Sequence, residues 1–217
     1  SILTFSVAML FVLNSYAHAQ TTFVIGGDTT VLLDTDTLSS AASLDFSGVS
    51  DDVGTTPEGA AIFGINGRGA ASLPTTFSYT PSSLAPFAGT IEHTGSVFFN
   101  NDTVEVGNFT IGFDNDRVSA TNSGFFVEST TGIGAILFDV AANPSVTAEV
   151  SSLAIDSDLL VSNEFATFLT DNSLATQDLT GADVGDASIR GISAVPEPSS
   201  ALLISLLGLG FVRRRKS

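Results

Sequence analysis

A chain of 217 residues with 23 acidic side chains against seven Lys and Arg, and a formal charge of −16, lacks the cationic footprint that displaces counterions from phosphate, so nucleic acid is excluded as a partner. It has no Cys and two His, which removes thiol chemistry, disulfide staples and zinc sites of the Cys or His type. Stability therefore has to come from packing, and 17 Phe supply the apolar surface for a two-layer core.

In chain order, residues 1–20 come first and open with an apolar run at 2–13, too short to cross a bilayer comfortably and suited to a secretory h-region. Ala17-His18-Ala19 before Gln20 is the small-x-small pattern whose side chains fit the narrow pockets of signal peptidase. Cleavage is expected after Ala19, which makes residues 1–19 a signal peptide. No Met opens the chain and no basic n-region precedes Ile2, so the sequence is expected to begin inside its own signal peptide.

Residues 20–194 have the size of one domain and hold 22 of the acids against Arg68, Arg117 and Arg190, a formal charge of −19 that suits a solvated extracellular surface or one that collects cations. From residue 22 onward, short runs rich in Val, Ile, Phe and Thr alternate with Gly, Asn, Asp and Pro at intervals near ten residues, which is an all-β rhythm. The expected strands are 22–25, 30–33, 43–46, 60–65, 75–79, 89–93, 96–99, 104–113, 125–128, 135–140 and 146–155. Within 104–113 the apolar face changes between Val106 and the set Phe109, Ile111 and Phe113, which predicts a bulge near Gly107-Asn108. Residues 162–169 make the one expected helix, with Ser162 as N-cap and Phe165, Phe168 and Leu169 on one face. Residues 51–59 and 180–185 read as loops. The expected fold class is all-β, a β-sandwich or flattened barrel of about ten antiparallel strands. A β-solenoid would need a fixed repeat that the sequence lacks.

The last segment, 195–217, has three parts in fixed order. Pro196, Glu197 and Pro198 hold the chain extended and present Glu197; the apolar run 201–212 follows; Arg213, Arg214, Arg215 and Lys216 close it. As a helix the run spans about 18 Å, against a hydrocarbon core of about 30 Å, a marginal membrane crossing. The basic cluster would stay cytoplasmic, with the bulk of the protein outside.

A Pro-Glu-Pro motif, an apolar helix and a terminal Arg-rich cluster together resemble the PEP-CTERM sorting tail. The resemblance implies that Pro196, Glu197 and Pro198 are read by an exosortase, a membrane-embedded protease or transpeptidase, and that Arg213 to Lys216 form a retention cluster. It also implies a Gram-negative bacterium that makes exopolysaccharide, an inner-membrane-anchored precursor, and a mature protein in the envelope or extracellular matrix.

Other chemistry is poorly served. His93 is the lone histidine of the domain, with no Gly-x-Ser-x-Gly elbow to pair with, and is expected at a strand end as a surface or turn residue. Joining it with Tyr79 as a haem or metal site has no better support. A glycoside hydrolase needs only two carboxylates, which 22 acids supply, but the absence of Trp and the single Tyr of the domain leave few stacking platforms for a sugar. Calcium is the one metal the composition favours, with oxygen clusters at Asn100-Asn101-Asp102, Asp34-Thr35-Asp36 and Asp114-Asn115-Asp116; Asp114 and Asp116 are weak candidates, because Asp and Asn also favour turns for backbone reasons. Gly67-Arg68-Gly69 reads as a turn. The expectation is a non-enzymatic surface or matrix protein needing no cofactor. A polysaccharide-binding module or a carboxylate-dependent glycoside hydrolase are the rivals.

Overall fold

The computed structural model describes residues 21–196. The expected signal peptide with Ala17, Ala19 and Gln20 lies outside the described residues, as do Glu197, Pro198 and the basic cluster. In chain order the elements are β1 (Thr22–Leu33), α1 (Thr35–Ala42), β2 (Phe46–Ser50), β3 (Gly54–Thr55), β4 (Ala61–Gly64), β5 (Ser78–Thr80), β6 (Leu84–Ala88), β7 (Ile91–Glu92) and β8 (Ser96–Phe99). The second half comprises β9 (Val104–Phe113), β10 (Asn122–Gly132), β11 (Ala135–Ala141), β12 (Ser145–Ala148), β13 (Ser152–Val161), α2 (Asn163–Asp171) and β14 (Asp183–Ala194).

The strands form one curled antiparallel sheet whose main path runs through ten of them, β2-β8-β9-β10-β11-β13-β14-β1-β4-β3. The sheet curls far enough to meet itself: Ile65, just past β4, bridges to His93, just past β7, and Asn66 N–H donates to Glu92 O at 2.7 Å. That contact joins β4 to the strands paired with β9, and the curled antiparallel sheet belongs to the expected all-β class. Inside lie two apolar clusters. One gathers Leu44, Phe63, Phe99 and Leu137 beneath both helices, which contribute Leu38, Phe165 and Leu169. The other gathers Val24, Phe77, Tyr79, Ile91, Leu153 and Ile189, and Val127 packs against both.

The helix α2 forms as its sequence dictates: Ser162 Oγ accepts from Phe165 N at 3.0 Å and caps it, while Phe165, Ala166 and Leu169 are buried. β9 runs as one strand, and the irregularity expected near Gly107-Asn108 appears as Asn108 in the left-handed region at φ 49°. Val106 and Phe109 consequently both reach the helix-side core.

Five expectations need correction, the first being the loop 51–59, within which Gly54–Thr55 form β3 and pair with β4. Strands 22–25 and 30–33 are one strand, β1, whose Gly27 lets the backbone pass close to β14: a Cβ there would lie 2.1 Å from Arg190 O. The expected strand 43–46 begins only at Phe46, as β2, and follows an unexpected second helix, α1, whose N-terminus Asp34 caps by accepting from Thr37 N at 2.9 Å, and whose Leu38 and Ala42 are buried. The strand 146–155 is two, β12 and β13, separated by a turn. Residues 183–185 of the expected loop instead begin β14, which pairs with β1 on one edge and β13 on the other.

Candidate functional site

β14 delivers the chain to Pro196, the first residue of the Pro-Glu-Pro motif and the last described. Its partner β1 starts at the same end, since Ala194 pairs with Phe23 and Ser193 with Val24. This exit is firmly held. Ser193 N–H donates to Ser151 O at 2.9 Å. The buried Tyr79 hydroxyl lies 2.6 Å from Glu149 O, 2.9 Å from Ser152 O and 2.9 Å from Ser193 Oγ. With one proton to give, the phenol donates to a carbonyl and accepts from Ser193, so one side chain ties β5, the β12–β13 turn and the end of β14 together. Burial pushes the Tyr79 phenol above its usual value, which keeps it a neutral donor. The domain is thus hydrogen-bonded into the sheet up to Ala194, and one residue, Val195, separates it from Pro196.

His93 is not the surface or turn residue expected: it is 1% exposed. It stands at the seam where the sheet meets itself, with Nε2 2.8 Å from Thr29 Oγ1 and Nδ1 3.2 Å from Phe109 O. Burial drives its pKa down to about 4, so the ring is neutral near pH 7. Both ring nitrogens are occupied by structural partners, and Tyr79 is held in a separate network; the two residues do not form a joint site.

The interior offers little room. His93 and Thr29 border a void of about 50 Å³ whose remaining walls are apolar, and a neighbouring void of about 30 Å³ shares Ile111 and Val127 with it. Neither has a carboxylate in its wall. An apolar cavity of about 150 Å³ is what benzene occupies, so a sugar ring has no place here.

The acids lie elsewhere. Asp158 of β13 stands directly opposite Asp186 of β14, on the outer wall. Desolvation, followed by the charges of Asp158 and Asp183, raises the Asp186 carboxyl above its usual value. Asp156, one row along, is held below its usual value by Ser188 and then by Arg190, whose guanidinium is 2.7 Å away. The three expected oxygen clusters are turn and cap residues. Asp114 Oδ1 accepts from Asp116 N at 2.9 Å and caps a single 3-10 turn; Asp34 caps α1; Asn100 accepts from Asp45 N and donates to Ser43 O. Among the described residues no group of three or more His, Asp or Glu is placed to hold a metal ion. Arg68 lies in the expected turn, closed by Ala70 N–H to Gly67 O at 3.0 Å.

The sequence missed Arg117 as an organising residue. From the 3-10 turn its Nε meets Asp139 of β11 at 2.7 Å, and its two terminal nitrogens grip Glu164 of α2 at 2.7 and 2.9 Å. The arginine holds the Glu164 carboxyl down at about 2. Only its being one of three cations in an acidic domain could have marked it.

Comparison with known proteins bears on the exit rather than on the interior. The model of the PEP-CTERM protein-sorting motif matches residues 194–216. No curated protein matches the chain. Among solved structures, the C-terminal domain of HtaA from Corynebacterium glutamicum is similar in fold at a TM-score of 0.49 and 13% identity, over 80% of this chain and 99% of that one. Among the described residues no helix is long and apolar enough to cross a membrane, and the apolar run 201–212 lies outside them.

Proposed function

We propose, from the PEP-CTERM sorting motif that the chain carries at residues 194–216, that this is an exosortase-sorted, exported protein of a Gram-negative bacterium whose β-domain serves a structural or interaction role in the envelope or the exopolysaccharide matrix. The carrying observation is that the motif match starts at Ala194, the last residue of β14, so fold and sorting unit share that one residue and otherwise follow one another. In this reading residues 1–19 are the signal peptide, 20–194 the extracellular domain and 195–217 the tail. The exosortase reads Pro196, Glu197 and Pro198, the apolar run holds the precursor in the inner membrane, and Arg213, Arg214, Arg215 and Lys216 retain its end on the cytoplasmic side.

A non-enzymatic role is supported by how the ionisable groups are used. His93 is locked at the seam, and the opposed carboxylates Asp158 and Asp186 stand on the outer wall, away from the voids. The intact mass of protein recovered from its native host tests the reading. It should correspond to a chain that begins at Gln20 and lacks the apolar run 201–212. A mass that includes residues 2–13 or 201–212 in the finished protein would overturn it.

A further inference from the structure

The exit end of the domain brings several exposed side chains together, the acidic Glu149 of the β12–β13 turn among them. Phe23 pairs with Ala194, so the domain begins and ends at one point. Around it lie three exposed apolar side chains: Ile192 on β14, 58% exposed; Ile25 on β1, 43%; and Val150 in the β12–β13 turn, 47%. Val24 and Ser193 are buried and paired with each other, so their neighbours Ile25 and Ile192 both face outward, where the register shift between Val24 and Gly26 sets them side by side. Val150 joins them because Ser193 N–H bonds Ser151 O. The same end carries a cation. The Arg68 guanidinium carbon sits 3.9 Å above the Phe23 ring, and its loop touches β1, with the Cβ position of Gly67 3.6 Å from Ile25 O. Arg68 has no ion-pair partner among the described residues, whereas Arg117 and Arg190 are paired with carboxylates.

Chain length says what meets this surface. Residues 195–200 are all that separate Ala194 from the apolar run, and six residues reach at most about 20 Å. The headgroup layer on each side of the hydrocarbon is roughly 5–8 Å deep, so a precursor whose run is in the bilayer keeps this end of the domain no more than about 15 Å above the headgroups, close enough to touch them.

We infer that the exit end of the domain is a lipid-contact surface, with Ile25, Val150 and Ile192 entering the headgroup layer and Arg68 meeting lipid phosphates while the precursor is tethered. The inference rests on the reading of 201–212 as the membrane segment. An aliphatic patch with an arginine backed by an aromatic ring suits an interface that is apolar on one side and anionic on the other. It also places Pro196, Glu197 and Pro198 at the membrane surface, within reach of a membrane-embedded enzyme.

The chain has no Cys, so single labels are unambiguous. The full chain is reconstituted in phosphatidylcholine–phosphatidylglycerol vesicles bearing a headgroup nitroxide. A fluorophore is placed in turn by Ile192→Cys, Val150→Cys, Leu32→Cys and Ser205→Cys. Leu32 is 39% exposed on the same strand as Ile25 but roughly 23 Å further along. Labels at 192 and 150 should be quenched at least threefold more than at 32, and Arg68→Ser should reduce quenching at 192. If the label at 205 shows lipid insertion while 192 and 150 are quenched no more than 32, the surface inference falls and the sorting reading stands. If 205 shows no insertion, the membrane-segment reading falls and takes the inference with it. Shielding of 192 and 150 that depends on protein concentration and not on the lipid nitroxide would assign the surface to a second copy and overturn the inference.

Discussion

Lowering the pH from 7 to 4 should cost the fold about 3 kcal/mol through His93 alone. Burial lowers its pKa from 6.5 in the unfolded chain to about 4 in the folded one. Between those values the unfolded state binds a proton that the folded state excludes, so the stabilisation is complete above about pH 6.5 and drains away as pH falls to about 4. At about 1.4 kcal/mol per unit, the shift corresponds to the quoted loss. Carboxylates complicate the raw profile. Glu164, held at about 2, gives up its contribution at lower pH still, while approach to the isoelectric point near 4.1 relieves repulsion among the acids. Both effects are common to the protein and a His93→Gln variant, so the difference between their urea-unfolding profiles isolates the ring. The variant should start less stable at pH 7 and lose less on acidification. Parallel profiles would contradict a neutral, buried His93.

Replacing Arg117 by Ala should destabilise the fold by about 3 kcal/mol. The Asp139 side chain is 8% exposed and has its one side-chain hydrogen bond to Arg117 Nε, so truncation strands a charge in the interior. The Glu164 side of the cluster adds little, since that carboxylate is 42% exposed and water screens it. Two controls separate charge burial from lost packing. Adding Asp139→Asn to Arg117→Ala should restore part of the loss, because the stranded charge is then gone. Arg190→Ala should change stability by less than about 1 kcal/mol, its pair with Asp156 being half exposed. Urea midpoints at pH 7 decide all three.

What was legible in the sequence follows from where each element draws its stability. α2 could be read because cap and apolar face are local, and 104–113 because a long alternating strand declares its period. α1 could not. Thr35 to Ala42 is a Thr-, Ser- and Asp-rich stretch with weak helix propensity, held by the Asp34 cap and by tertiary burial of Leu38 and Ala42. β14 is the sharper case. Gly185 falls in the expected loop 180–185, yet it lies inside a strand. At Gly185, φ is 146° and a Cβ would come within 2.2 Å of Leu32 O. That glycine marks the close passage of another backbone, and β14 exists because β1 and β13 pair with both of its edges, which no local window contains. His93 misled for the same reason: its burial comes from closure of the sheet on itself, 28 residues from its bridge partner Ile65. The tail was legible because motif, apolar run and basic cluster are contiguous, and the sorting-motif model falls on the same residues.

The measurement closest to the central claim uses Glu197→Ala, which removes the charged residue of the motif without touching the domain or the apolar run. Cells carrying the parent or the variant are fractionated, and the domain is followed by blot in inner membrane, outer fractions and medium. The sorting account predicts export of both, with the variant precursor accumulating in the inner membrane while the parent leaves it. Identical distributions would mean that the apolar run and Arg213 to Lys216 act as a plain anchor, and would contradict sorting through Pro196, Glu197 and Pro198.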